Sequence, residues 1–205
     1  FKFIPNDKTV GILVVSCGPG YFVNLLKNEG YTNVIGIDSD SEKIKYAIDK
    51  GLQCEKQEAF SYLENCDRQF DIIVAEQEIN HLTKDEILEF LALCRQKTRP
   101  GGQFICFVLN GANPITGAEA LAQNFDHQNT FTEYALNQVL THSGFRDVEV
   151  FGLNLYVFYK NPANYVAMFV AWALSMCFRA AYILYGKKNK LFTKKIAAAC
   201  RAPDH

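Results

Sequence analysis

The sequence predicts an α/β fold, a Rossmann-like doubly wound sheet that is mostly parallel and has helices on both faces. Strand-like and helix-like segments alternate along most of the chain. The strand-like segments are nearly continuous apolar runs, which is typical of parallel strands buried on both faces. The first run ends in a glycine-bearing turn that a helical pattern follows at once, as at the ligand crevice of such sheets.

The predicted helices and strands of the first half have recognisable capping and stop residues. A buried strand at 10–15 precedes a helix at 21–28, which Gly30 stops. A short strand at 33–37 ends in Asp38 and leads to a helix at 41–50, with Ser or Asp as its cap and Gly51 as its stop. Next come a weak strand, a short helix and a fourth apolar strand, predicted at 52–55, 59–64 and 70–75.

The second half opens with the best helix signal, over 83–98, where Thr83 and Glu86 form a capping box. The run 99–102 breaks this helix before a fifth strand at 103–109. A long loop at 110–130, with a short helix at 118–123, is long enough to be functional or mobile. The remaining elements are a helix at 132–143, a strand at 148–158, an apolar helix from Pro162 to about Tyr185 and a last strand at 192–200.

Composition and charge narrow the class of protein. A chain of 205 residues with 49% hydrophobic residues can bury one full core. The net charge of −1 gives no overall attraction to nucleic acid. Seven cysteines lie scattered without metal-ligand spacing, so we expect reduced thiols in a cytoplasmic protein. We expect one domain over residues 1–205, and the start at Phe1 suits a domain excised from a longer multidomain protein.

The turn Gly18-Pro19-Gly20 is the first candidate binding site. Glycine lets a ligand approach the backbone, and the N-terminus of the following helix offers free N–H groups. Asp38 ends the second strand, where an acid can accept hydrogen bonds from both hydroxyls of a ribose. An ordinary turn and a helix-capping aspartate are the alternatives. The third glycine of a dehydrogenase fingerprint is missing, because Val23 stands there.

The segment Leu13-Val14-Val15-Ser16-Cys17-Gly18-Pro19-Gly20 resembles the first motif of the class I S-adenosylmethionine (SAM)-dependent methyltransferases, Leu-Asp-x-Gly-Cys-Gly-x-Gly, and matches its last four positions. Gly36-Ile37-Asp38, the run 70–75 and Arg99-Pro100-Gly101-Gly102 extend the resemblance over residues 8–155. The resemblance implies a sheet of seven strands with a last antiparallel pair. It also implies SAM as the cofactor and S-adenosylhomocysteine as its product.

The resemblance assigns a cofactor site residue by residue. The methionine part of SAM would be held by Ser16, Cys17, Gly18, Pro19 and Gly20, and the ribose by Asp38 and Ser39. The adenine would be held by Glu58, Ala59 and Phe60, and the methyl-bearing end would lie at Glu76. The alternatives are an acid that a helix dipole favours for Glu58 and a solvated loop acid for Glu76. Two positions depart from the family, because Val14 replaces its aspartate and Ser16 its first glycine.

The catalytic candidates are His81, Asp126 and His127. Asn80-His81-Leu82 resembles the Glu-His-Leu that follows strand four in many small-molecule and sugar methyltransferases. The run 124–132 resembles Asp-x-Thr-His-x-x-x-Phe-Thr of methyltransferases from polysaccharide and glycan clusters, and 110–114 resembles their Pro-Asn-Ala-x-x-Pro. A neutral imidazole can accept the proton of a hydroxyl acceptor, and Asp126 could orient His127 as a base dyad.

Each of these roles has a purely structural alternative. For His81 it is packing of the loop before the helix at 83–98, and for the run 124–132 it is a polar loop before a Thr-capped helix. We expect no metal, because two ligands without a partner cluster do not hold a divalent ion.

The segment 160–188 is predicted to be a helical insertion before the last strand. It is apolar and aromatic, and it ends in Gly186-Lys187-Lys188. Three interpretations remain open: a helical hairpin over the active site, a dimerisation surface, or an interfacial helix near lipid-linked glycans.

Together these features predict a SAM-dependent O-methyltransferase that acts on a sugar hydroxyl of a glycan or nucleotide sugar. The alternatives are a small-molecule N- or O-methyltransferase with a non-sugar acceptor, and a non-catalytic SAM- or partner-binding domain of a glycan-synthesis protein. The expected partners are a sugar or glycan, a membrane or lipid-linked glycan through 160–188, and a second copy or fused glycosyltransferase domains. Nucleic acid is not expected, because Lys and Arg do not stripe the core domain.

Overall fold

The computed structural model describes residues 2–153 and 163–204. Within them lie seven strands and seven helices. The strands are β1 (Ile12–Val15), β2 (Val34–Asp38), β3 (Cys54–Lys56), β4 (Phe70–Glu76), β5 (Thr98–Leu109), β6 (Arg146–Leu153) and β7 (Lys195–Arg201). The helices are α1 (Tyr21–Asn28), α2 (Ser41–Asp49), α3 (Ala59–Asn65), α4 (Lys84–Lys97), α5 (Gly117–Ala122), α6 (Glu133–His142) and α7 (Ala163–Leu184).

All seven strands form one sheet in the order β3-β2-β1-β4-β5-β7-β6. The pairs among β3, β2, β1, β4 and β5 are parallel, whereas β7 runs antiparallel to both β5 and β6. The predicted seven-stranded, mostly parallel fold is therefore confirmed. The chain leaves β1 toward β2 on one side and returns to β4 on the other, so the crevice of a doubly wound sheet lies between these strand ends.

The continuous apolar runs are explained by two hydrophobic clusters, one on each face of the sheet. Along β1, Leu13 and Val15 belong to one cluster, and Ile12 and Val14 to the other. All four are fully buried. Because successive side chains of a strand point to opposite faces, a strand covered on both sides must be apolar at every position.

The capping residues predicted for two helices make the expected hydrogen bonds. Thr83 caps α4, its hydroxyl accepts from the Glu86 N–H, and the Glu86 carboxylate accepts from the Thr83 N–H at 2.8 Å. For α2 the capping residue is Asp40, whose carboxylate accepts from the N–H groups of Glu42 and Lys43.

The run 99–102 does not stand between a helix and a strand as predicted, because β5 already begins at Thr98. Gly101 adopts a left-handed φ of 69°. The pairing with β4 changes register between Phe70 and Ile72. The glycine pair thus lets the strand pass through an irregular step rather than ending it.

The end of the chain also differs from its prediction. β6 begins two residues earlier than expected, and its predicted continuation over 154–158 lies outside the described residues. β7 begins at Lys195 rather than 192, because the Phe192 ring packs on Phe178 and Tyr182 of α7 instead of joining the sheet. The described part of the insertion is the single helix α7, and it lies between β6 and β7 as predicted.

Candidate functional site

The candidate site lies where β1, β2 and β4 end side by side. β1 pairs in parallel with both β2 and β4, so their carboxyl ends meet at one edge of the sheet. A small cavity of about 30 Å³ opens there, and five of the predicted cofactor residues line it. Its lining consists of Ser16, Ile37, Asp38, Ser39, Gln57, Glu58, Ala59 and Glu78.

The glycine turn is held against the end of β2. The Gly18 N–H donates to Asp38 Oδ2 at 2.8 Å, and the other oxygen of Asp38 accepts from the Asp40 N–H at 2.9 Å. Gly18 and Gly20 both have left-handed φ angles, 55° and 79°. Space around Gly18 is open, whereas a Cβ on Gly20 would lie 2.7 Å from Leu52. Gly20 is thus required by packing and Gly18 by the turn, and the open side of the turn can receive a ligand.

Ser16 occupies the same left-handed region, with a φ of 55°. That conformation explains why the family has glycine at this position, since a side chain is strained there. The Ser16 hydroxyl donates to the Glu78 carboxylate. Burial raises the pKa of Glu78, while this hydrogen bond and the nearby His81 oppose the rise. Val14, where the family has aspartate, is fully buried in an apolar cluster.

Glu76 ends β4 with a partly buried side chain. Its Oε1 atom is buried and has no hydrogen-bond partner among the described residues. Burial raises the pKa of Glu76 to about 7, helped by the negative charge of Asp38 and opposed by Lys195. A buried carboxylate without its own partner is suited to receive a cationic group of a ligand.

Two predicted cofactor residues face the protein core instead of the cavity. Cys17 is buried, with its sulfur 4.0 Å from Cys54 Sγ, and its pKa is raised by that contact and by burial. The Phe60 ring packs edge-on against Phe90, with the ring centroids 5.9 Å apart. Both residues support the cofactor turn and α3 from behind, so they are not expected to touch a ligand through their side chains.

His81 and Asp126 meet although 45 positions separate them in the chain, with His81 Nδ1 3.1 Å from Asp126 Oδ2. This differs from the expected pairing of Asp126 with His127. The ring of His127 lies near that of His81, with centroids 4.9 Å apart. However, His127 Nδ1 lies 2.6 Å from the Ala120 carbonyl oxygen, and its Nε2 lies 3.2 Å from Asn124 Nδ2. Both nitrogens of His127 are therefore engaged locally, whereas Nε2 of His81 is the better placed to accept a proton.

A buried asparagine that we did not select from the sequence brings these residues together. Asn80 is fully buried. Its side chain donates to the Asn129 carbonyl at 2.7 Å and accepts from the Leu109 N–H at 3.2 Å. Its own carbonyl accepts from the N–H groups of Gln128 and Asn129. The loop that carries Asp126 is thus fastened to the end of β4. Only the likeness of 80–82 to a family motif could have pointed to Asn80.

The run 110–114 has a structural role that supports the same loop region. The Asn110 side chain donates to the carbonyls of Leu191 and Thr193, and the Asn113 side chain donates to that of Phe192. These contacts tie the end of β5 to the segment before β7.

His81, Asp126 and His127 also form a potential metal site. One ligand atom from each lies within 4.8 Å of the others. Two imidazoles and a carboxylate suit a divalent transition metal. The expectation of no metal remains a prediction.

Comparison with known proteins gives a family match over part of the chain. Residues 12–102 match a family model described as a methyltransferase domain. Curated proteins give no match to the chain.

Solved structures with the same fold include several methyltransferases. A SAM-dependent methyltransferase from Archaeoglobus fulgidus is 23% identical, with 98% of this chain and 90% of that chain covered and a TM-score of 0.72. One from Mesorhizobium loti is 15% identical, with 98% and 94% covered and a TM-score of 0.61. Phosphoethanolamine N-methyltransferase 2 from Haemonchus contortus, in complex with SAM, is 15% identical, with 98% and 50% covered and a TM-score of 0.63.

Proposed function

We propose that this chain, whose residues 12–102 match a methyltransferase-domain family model, is a SAM-dependent O-methyltransferase acting on a sugar hydroxyl of a glycan or nucleotide sugar. The observation that carries the proposal is the contact of His81 with Asp126 beside the cofactor turn. Transfer to a hydroxyl requires that the acceptor lose its proton as the new bond forms, so a base at this position has a defined task.

The residues of the cofactor site fit SAM. The open Gly18 turn can take the methionine part, and the exposed Glu58 carboxylate can take the adenine amino group. Asp38 can hold the ribose, since a carboxylate that accepts from backbone N–H groups retains further lone pairs. Glu76 was expected at the methyl-bearing end, but its unpartnered buried oxygen suits the ammonium group of the methionine part better.

When bound, SAM supplies an electrophilic methyl group and leaves as S-adenosylhomocysteine. His81 Nε2 takes the proton of the acceptor hydroxyl as the oxygen–carbon bond forms. Asp126 accepts from His81 Nδ1–H and thereby holds the imidazole in the tautomer with a free Nε2 lone pair. Alignment of the acceptor supplies most of the rate, and the base adds on the order of 10²–10⁴-fold.

Three features support a sugar as the acceptor. The loop that resembles glycan methyltransferases points toward the end of β4, where Asn80 holds it. Phe125 beside Asp126 is fully exposed and offers an aromatic face to the C–H groups of a sugar ring. Gln128 and Asn124 place amide groups in the same loop, and amides can bond sugar hydroxyls. A cytoplasmic location is part of the proposal, because all seven cysteines are free thiols.

The direct test is incubation of the full chain with SAM and a panel of sugars and nucleotide sugars, read by mass for the gain of a methyl group. We expect His81→Ala to lower turnover by at least 100-fold. His127→Ala, the matched variant, should lower it less, because that ring is held locally. Unchanged turnover in His81→Ala would contradict base catalysis by this residue.

An amine acceptor is the second candidate. It is motivated by the shared fold of the Haemonchus phosphoethanolamine N-methyltransferase. An amine needs no strong base once it is neutral, so His81→Ala should then be nearly silent at high pH. Phosphoethanolamine and simple amines therefore belong in the acceptor panel.

A divalent ion on His81, Asp126 and His127 would replace the proposed base with a Lewis acid. Treatment with EDTA separates the two mechanisms. We expect full activity after chelation. Loss of activity that Zn²⁺ or Mn²⁺ restores would assign the cluster to a metal.

A further inference from the structure

Helix α7 presents an unusual surface for a helix on the outside of a folded domain. It has 22 residues, an 18-residue stretch of it has a mean hydropathy of 1.7, and none of its residues is buried. By length and composition it is the one helix among the described residues that could cross a membrane. Arg179 is its only charged residue, and it contains no Asp or Glu.

One face of α7 rests on the domain. The Tyr182 hydroxyl donates to the Ala112 carbonyl at 2.8 Å, and the Phe178 and Tyr182 rings pack on Phe192. Farther toward the N-terminus, Ala171 and Ser175 line a cavity between the helix and the rest of the domain. These residues recur at three- and four-residue spacing and are half-buried, so they form a single face.

The outer face of α7 is open to the surroundings and is apolar apart from Arg179. Tyr165, Phe169 and Trp172 are exposed to 77%, 65% and 61%, and Met176 and Ile183 lie farther along the helix. A surface helix in water normally turns polar side chains outward. An exposed apolar face of this size marks an interaction surface.

We infer that α7 lies in the plane of an anionic lipid bilayer, with this outer face among the acyl chains and headgroups. A helix of 22 residues is about 33 Å long, enough to cross a membrane. However, a crossing helix would have to leave the domain surface on which Phe178 and Tyr182 rest. In addition, β6 ends where β7 begins, because Leu153 of β6 is paired with Lys195 of β7. The geometry therefore fits an embedded helix that lies parallel to the surface.

The charge next to α7 favours a bilayer over a second copy of the chain. Lys187, Lys188 and Lys190 follow the helix and are exposed. Their backbone is fixed to α6, because the Tyr134 hydroxyl donates to the Lys188 carbonyl and Glu133 accepts from the Lys190 N–H. Anionic headgroups complement this basic segment. A second copy would offer the same basic segment and an α7 with no acidic residue to complement it.

Trp172 provides a direct probe, because it is the only tryptophan of the chain and lies on the outer face. The full chain is mixed with vesicles of phosphatidylcholine, with and without phosphatidylglycerol. We expect flotation with the anionic vesicles, a shift of Trp172 emission to shorter wavelength and protection from an aqueous quencher. Lipids brominated near the headgroups should quench Trp172 fluorescence more than lipids brominated at the ends of their acyl chains, as expected for a helix in the plane of the bilayer.

Variants separate the apolar and the electrostatic contributions. Phe169→Glu should weaken binding to both kinds of vesicle. Ile48→Glu, on the exposed face of α2, is the matched control and should not, although Ile48 is 54% exposed. Replacing Lys187, Lys188 and Lys190 by Gln should weaken binding to anionic vesicles about 100-fold, at roughly fivefold for each lysine. Thermal unfolding of each variant shows that the domain remains folded.

Three results would overturn the inference. The first is an absence of vesicle binding by the full chain. The second is a dimer in solution that protects Trp172 without lipid, which would assign α7 to an interface between copies. The third is equal loss of binding in Ile48→Glu and Phe169→Glu. None of these readouts requires methyl transfer, so they do not depend on the proposed activity.

Discussion

Replacing Glu76 by Gln removes the buried carboxylate at the end of β4 and keeps its shape. The pKa of Glu76 is raised from 4.5 to about 7, chiefly by burial. The folded protein therefore binds more protons than the unfolded chain between these values, and stability falls as the pH rises through this window. From the two pKa values, the carboxyl lowers the free energy of unfolding by about 1 kcal/mol at pH 5, about 2 kcal/mol at pH 6 and about 3 kcal/mol at pH 8.

Glu76→Gln should abolish this penalty. Its stability relative to the original chain should therefore rise by about 2–3 kcal/mol between pH 5 and pH 8, or by about 5–10 °C in Tm. Urea unfolding of both proteins at pH 5, 6, 7 and 8 measures the difference, and any pH-independent effect of the amide cancels. Glu89→Gln, on the exposed side of α4, controls for the change in net charge. A difference between the two proteins that stays constant over this range would refute the reasoning.

The same substitution should weaken SAM binding. A charge-assisted hydrogen bond contributes about 1.5–3 kcal/mol, so the dissociation constant should rise by about 10- to 150-fold at pH 8. Calorimetry in two buffers of different ionisation enthalpy should also detect proton release when SAM binds near pH 6, since the ligand cation favours the ionised carboxylate. Equal affinity of the two proteins would place Glu76 outside the cofactor site.

Substitutions at three other positions test the site. Ser16→Ala should lower the free energy of unfolding by about 1–3 kcal/mol, because the Glu78 carboxylate loses its hydrogen bond. Ser16→Gly should be more stable than Ser16→Ala by about 1 kcal/mol, because glycine accepts the left-handed φ. Thermal unfolding ranks the pair, and the reverse order would contradict strain at this position. Asn80→Ala should lower the free energy of unfolding by about 2–4 kcal/mol, because the Leu109 N–H and the Asn129 carbonyl lose their partner. Limited proteolysis should then cut the loop near Asp126 faster. Asp126→Asn should lower turnover at neutral pH while SAM affinity is unchanged, because it disturbs only the tautomer of His81; a matching loss of SAM affinity would place Asp126 in the cofactor site.

The sequence alone determined the succession of elements and the location of the glycine turn that we propose binds SAM. Apolar runs such as β1 are buried on both faces, so their pattern follows directly from the fold class. Caps act within a few residues, which is why the Thr83–Glu86 box could be predicted in detail. The positions of Gly18, Gly20 and Asp38 follow from the same local rules, because a turn and a strand end are short-range features.

Tertiary structure alone decided which side chains meet. Asp126 pairs with His81 rather than with its neighbour His127, because Asn80 holds the loop against the end of β4. The raised pKa of Glu76 likewise depends on burial by strands that are distant in the chain. The outward face of α7 was also not readable from composition, since an apolar helix is equally typical of a buried core. These features depend on packing between segments far apart in sequence, and local patterns carry no information about such contacts.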